Sequence, residues 1–284
     1  MLEQRVSIDP ERFSPLDGSS RKNGKEVARI RQIGRHLGTL FEALSRRMKP
    51  GISGVEIDTF VAEYLKERGL TPALRGYDGF PATCCVSPGS IAVHGVPTDK
   101  PIPAGELVTV DVGVERDGWY ADAAWTFAIG PISREYARLL KGAYAACLAG
   151  VAVARAGNSY RSLARTVAGV ADRYGLSLIA ECCGHGIGRR LHEFPVVPYR
   201  FPRREANISR AHIDRHFEVG QVLTVEPVLS LVHQTLITGE GISGLRGSEN
   251  RPTAQFEHTV VVGRETGHTL TVPAGPSVDF PPYF

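Results

Sequence analysis

The sequence predicts an α+β fold made of two similar halves. Three observations carry this reading: two pairs of segments with helical periodicity, an Asp-Gly hairpin after the first pair, and apolar strand-like runs after the second. From Lys25 to Met48 apolar residues recur at helical spacing (Val27, Ile30, Ile33, Leu37, Leu40, Leu44), and Lys49-Pro50-Gly51 ends the helix. A second helix is expected from Ser53 to Arg68, with Gly69 at its end. The stretch from Tyr77 to Val96 is rich in glycine and proline. A hairpin follows, its turn at Asp117-Gly118. Helices are expected again from Ser133 to Ala154 and from Ser162 to Tyr174, separated by Ala156-Gly157-Asn158. A loop rich in glycine and histidine comes next, then strands at 221–225 and 255–262. Residues 1–23, broken by Pro10, Pro15 and Gly18, are expected to form a poorly ordered arm ahead of one domain over 24–284. The polar, Arg-rich stretch 200–215 reads as a surface insertion.

Bulk properties exclude several classes. A chain of 284 residues, 42% hydrophobic and 22% charged, has the make-up of a soluble globular protein. The net charge of +3 is too small to argue for specific nucleic-acid binding. No run approaches the roughly 18 apolar residues of a membrane span, and residues 1–23 lack the apolar core of a signal peptide. Five cysteines, two pairs of them adjacent in sequence (Cys84-Cys85 and Cys182-Cys183), point to a reduced, cytoplasmic compartment.

The hairpin carries the chemistry. With Asp117-Gly118 as its loop, Arg116 faces Trp119, Asp111 lies opposite Ala124, and Asp122 lies opposite Gly113. Alternation along each strand then puts the Asp111 and Asp122 side chains on one face as diagonal neighbours. Two buried carboxylates that close repel unless a proton or a cation stands between them. Further donors lie in similar settings. His185 and His192 stand seven residues apart among glycines, Glu226 ends an apolar strand before Pro227, and Glu257 lies in the next one. Four carboxylates and one imidazole, without thiolate, match two divalent cations of the Mn, Fe, Co or Zn kind better than a structural zinc. Such a pair activates water and polarises a carbonyl, so the reaction class is metal-assisted hydrolysis.

The motifs, taken together and in order, resemble a type I methionine aminopeptidase. They are Val93-His94-Gly95-Val96-Pro97, the two aspartates eleven residues apart, Cys183-Gly184-His185-Gly186-Ile187-Gly188 with His192 beyond it, Val225-Glu226-Pro227, and Ala254-Gln255-Phe256-Glu257-His258. The resemblance covers roughly residues 25–271. It implies the pita-bread fold, a curved antiparallel sheet covered by helices with an internal pseudo-two-fold repeat. It implies that Asp111, Asp122, His185, Glu226 and Glu257 bind two metals, and that Glu226 also handles the proton of the attacking water. His94 and His192 would contact the scissile amide. The implied substrate is the N-terminus of a peptide or nascent chain, acted on by a monomer, with ribosome contact suggested only by charge.

The chain also departs from that pattern. Gly89 and Ser90, after Pro88, replace an Asn-acidic pair; Val93 stands where Cys is common; Ala123-Ala124-Trp125 replaces a Thr/Ser-basic sequence. Leu191 takes an aromatic position, and Ile242 takes that of a Trp. The pocket implied for the first side chain is built from Tyr77, Phe80, Cys85, His94, Leu191, His192 and Ile242. A change of one methylene in such a wall is worth about 1–3 kcal/mol. A divergent hydrolase acting on another N-terminal residue or a small amide is therefore the alternative expectation, ahead of a non-catalytic binding protein of the same fold.

Overall fold

The computed structural model describes residues 4–5, 21–200, 210–238 and 244–273. Its helices begin where short polar side chains can cap them. Helix α1 (Gly24–Ser45) starts at Asn23, whose side chain accepts from Glu26 N–H while Glu26 reaches back to the Asn23 N–H. Helix α2 (Gly54–Glu67) repeats this box with Ser53 and Glu56. Helix α3 (Arg134–Val153) is capped by Ser133 and α4 (Tyr160–Arg173) by Ser159. The fourth helix thus starts before the expected Ser162, because the Ser159 hydroxyl accepts the Ser162 N–H. The first ends at Ser45, three residues short of Met48. A one-turn helix, α5 (Arg210–Ile213), lies in the stretch expected to be a surface insertion, of which 201–209 fall outside the described residues.

Helix α1 packs on the hairpin strands Leu107–Arg116 and Trp119–Ala128, which pair along their whole length. Asp117 and Gly118 both have positive φ (55° and 71°), as a two-residue hairpin turn requires. The observed register is the expected one: Asp111 is opposite Ala124 and Gly113 opposite Asp122. Strand Cys85–Pro88 flanks the hairpin, with Cys85 paired to Asp111. Beneath it, Phe41 stacks on Trp125 (5.6 Å between centroids), and Phe256 meets the same indole edge-on at 5.5 Å. This cluster joins the two halves of the chain in one core.

The second half repeats the order. Helices α3 and α4 are followed by a five-stranded sheet in which His258–Val262 pairs with Val222–Val225, and the latter with Cys183–Gly186. The expected strand over 255–262 is broken: Thr253–Gln255 pairs with Val228–Ser230, and His258–Val262 with Val222–Val225. Both partners therefore leave regular pairing at one level, at Glu226-Pro227 on one chain and Phe256-Glu257 on the other. Pro227 has no N–H to give the ladder. On the other side, Phe256 bridges to Trp125 and the Glu257 N–H donates to Ala124 O at 2.8 Å. The break is where the second sheet joins the first hairpin. Among the described residues no helix is long and apolar enough to cross a membrane.

Candidate active site

The junction between the two halves gathers the acidic residues. Thr259 Oγ1 accepts from Asp122 N–H (3.0 Å) and donates to Asp122 O (2.8 Å). Thr126 Oγ1 does the same with Gln255, accepting from its N–H and donating to its carbonyl, both at 2.8 Å. The Thr126 proton is then committed, so Thr109, 2.8 Å away, is the donor in the Thr109–Thr126 hydrogen bond. This row of threonines locks the hairpin strand of Asp122 beside the segment of Glu257.

Asp122, His185 and Glu257 are all buried, and a ligand atom from each lies within 4.8 Å of the other two. His185 Nε2 is 4.0 Å from Asp122 Oδ2 and 3.6 Å from Glu226 Oε1. His185 Nδ1 lies 2.9 Å from Gly186 O. A carbonyl can only accept, so Nδ1 carries the proton and Nε2 turns its lone pair toward the carboxylates. Burial lowers the His185 pKa to about 4, against the smaller opposing pull of the Gly186 and Leu191 carbonyls, so the ring is neutral.

The carboxyls are pushed the other way. Burial raises Asp111 well above its usual range, and the charges of Asp122 and Glu226 add to it. Burial takes Asp122 up to about 6, although contact with Asp111 and the Ala123 N–H oppose the rise. Glu226 reaches about 8 through burial, in spite of the Thr224 hydroxyl on its Oε1 at 2.6 Å. Glu257 stands well above the usual range, first from burial and then from Asp122, Glu226 and Asp111. Oxygens Asp111 Oδ1, Asp122 Oδ1 and Glu257 Oε1 are buried without a hydrogen-bond partner among the described residues. Unpartnered buried carboxylate oxygens converging on an imidazole lone pair are the surroundings a divalent cation satisfies.

Several supporting groups carry no signal in the sequence. Tyr199, buried, accepts the Glu226 N–H at 2.7 Å, and Gln255 Nε2 reaches Glu226 Oε2 at 3.4 Å. Thr224 alone was within reach of sequence reasoning, since it precedes Glu226 by two on one strand face.

The remaining predicted residues lie around this cluster. The His192 ring meets that of His185 edge-on at 4.3 Å, and its Nδ1 is 2.6 Å from the Tyr77 hydroxyl. Tyr77 is presented by a turn closed by the Phe80 N–H on Tyr77 O, and Phe80 is half-buried. Cys85 is buried beside Asp111, and Leu191 is buried with Cδ1 against Gly113. His94 is exposed and has a φ of 58°, a conformation that a non-glycine residue adopts rarely. Ile242 lies outside the described residues. All five cysteines are free thiols, Cys84, Cys85, Cys147 and Cys182 buried and Cys183 partly covered. Burial raises the pKa of each.

Comparison with known proteins agrees with this geometry. The sequence model of metallopeptidase family M24 matches residues 28–264. The methionine aminopeptidase of Treponema pallidum is 32% identical over 252 residues, which cover 89% of this chain and 96% of that protein. That of Clostridium perfringens is 30% identical over 241 residues, covering 85% and 94%. The crystal structure of methionine aminopeptidase from Rickettsia prowazekii superposes with a TM-score of 0.82 at 24% identity, over 89% of this chain and 99% of that one. The chain is an α+β, pita-bread metallopeptidase, and it belongs to family M24 and, within that family, to the methionine aminopeptidases.

Proposed function

We propose that this chain removes N-terminal methionine from peptides and nascent proteins, using two divalent cations held by Asp111, Asp122, His185, Glu226 and Glu257. The observation that carries the reading is the set of three unpartnered, buried carboxylate oxygens around the neutral His185 imidazole. The cations, of the Mn, Fe, Co or Zn kind, supply an activated water and a polarised carbonyl when bound. Glu226 takes up the proton of the attacking water. Its carboxyl is placed for this by Thr224 on one oxygen and Gln255 on the other. His192, oriented through the Tyr77 hydroxyl, and His94 contact the scissile amide and stabilise the charge that develops on it. Tyr77, Phe80, Cys85, His94, Leu191 and His192 form the pocket for the first side chain. The reading carries with it a cytoplasmic monomer.

A peptide panel tests it. After chelation and reconstitution with Mn or Co, Met-Ala-Ser should be cleaved to free methionine, and peptides with a bulky second residue should not be. Release of another first residue in preference to methionine would favour the divergent hydrolase, which the Leu191 wall motivates. No release from any Met-Ala peptide at full metal occupancy would overturn the methionine reading.

A further inference from the structure

The loop 188–193 carries His192, and one carboxylate organises it from inside. Glu193 Oε1 accepts the backbone N–H groups of Arg189 (2.5 Å) and Arg190 (3.1 Å), while its Oε2 receives Lys22 Nζ at 2.8 Å. The Lys22 and Glu193 side chains are only 8% and 15% exposed, so this ion pair is shielded from water and from salt in a way that surface pairs are not. Lys22 is itself anchored. Its N–H donates to Gly220 O at 2.7 Å, and the neighbouring Arg21 bridges to Gln221, just before the strand that leads to Glu226. Gly188 completes the fit: a Cβ there would stand 3.1 Å from Glu193 Oε1 and would displace the end of the lysine side chain from its present position.

Lys22 lies ahead of the residues matched by the family model, in the segment that the sequence suggests is a poorly ordered arm. The structure instead builds residues 21–23 into the fold at a point one residue from His192. We propose that Lys22 is a positioning residue for His192. Its ammonium holds Glu193 under the loop, and Glu193 in turn holds the Arg189 and Arg190 amides, which fixes the loop in the shape that sets the His192 ring against His185 and Tyr77. Without the ammonium, a buried carboxylate is left with two amide donors and no counter-charge, and the loop relaxes toward water. This inference rests on the proposed role of His192 in amide cleavage.

The test uses the full chain reconstituted with Mn. Lys22→Met should lower kcat on Met-Ala-Ser by about 10- to 100-fold, the scale of loss expected from a small misplacement of a reacting group, with KM nearly unchanged. Lys22→Arg, which keeps the charge, should recover most of the rate. In a His192→Ala background the same Lys22→Met change should cost nothing further. A second readout needs neither metal nor turnover: amide hydrogen exchange over 188–193 should speed up in Lys22→Met, or in the milder Lys22→Gln if the former does not fold. A wild-type kcat in Lys22→Met, an equal fold-loss in the His192→Ala background, or unchanged exchange would each overturn the proposal. Absence of methionine release by the wild-type chain would sink the proposed activity instead, and the exchange measurement would still judge the clamp.

Discussion

At the scale of single residues, the cluster works because protonation and burial are set against each other. Asp122 and Glu226 have folded pKa values of about 6 and about 8, above their ordinary 3.8 and 4.5. In the metal-free protein each contributes stability that is complete below the ordinary value and is lost as pH rises through the folded one. His185 and His258 act in the opposite sense. Burial lowers both from 6.5 to about 4, so their contribution is present above 6.5 and is lost as pH falls through about 4. Above pH 7 the histidine contribution no longer changes, and the carboxyls, joined toward pH 8.5 by the buried thiols, set the slope. The thermal midpoint of the metal-free chain should therefore fall between pH 7 and pH 8.5, by the equivalent of about 1–2 kcal/mol per retained proton. Glu226→Gln should flatten that fall. A midpoint that rises over this range would show that the carboxyls are already ionised in the folded state.

At the scale of elements, the junction between hairpin and second sheet depends on side-chain hydroxyls more than on a continuous ladder. Thr126 serves both backbone groups of Gln255, 129 residues away in sequence. Thr126→Val removes one hydroxyl and leaves a buried N–H and a buried carbonyl without it. The expected cost is about 2–4 kcal/mol, read from the denaturant midpoint, whereas Thr126→Ser should retain most of the stability. A loss below half a kcal/mol would mean that the junction is held elsewhere. The hairpin itself was legible in the sequence. Asp117-Gly118 sets the turn, the alternating valines set the faces, and together they give the register of Asp111 and Asp122. The break at Glu226 and Glu257 was not. Reading 255–262 as one strand follows from its apolar run, and it is divided by contacts with the distant hairpin, Phe256 bridging to Trp125 and the Glu257 N–H donating to Ala124 O.

At the scale of the molecule, local pattern marks every ligand-type residue while the partners that hold them come from far away. Among the described residues, four of the five helices start at an Asn or Ser cap. The clamp under His192 joins residues 171 apart, and nothing in the local composition of Arg21 and Lys22 distinguishes them from a solvated arm. Tyr77 reads as a pocket wall from its neighbours, and its hydroxyl on His192 is visible only in three dimensions.

The free cysteines have a use beyond packing. They are distributed over the start of the flanking strand of the first half (Cys85, with Cys84 just before it), helix α3 (Cys147) and the approach to His185 (Cys182, Cys183). Four are buried, Cys183 is partly covered, and each has its thiolate disfavoured by burial, so the folded chain presents little reactive sulfur. Brief exposure to an alkylating reagent followed by weighing the intact chain should yield two populations, one nearly unmodified and one carrying five adducts, with little between. The share of the heavy population would read the opened fraction directly, without label or substrate. Species with two adducts or with three would instead show that the two halves open separately, and the sequence positions of those adducts would say which half opens first.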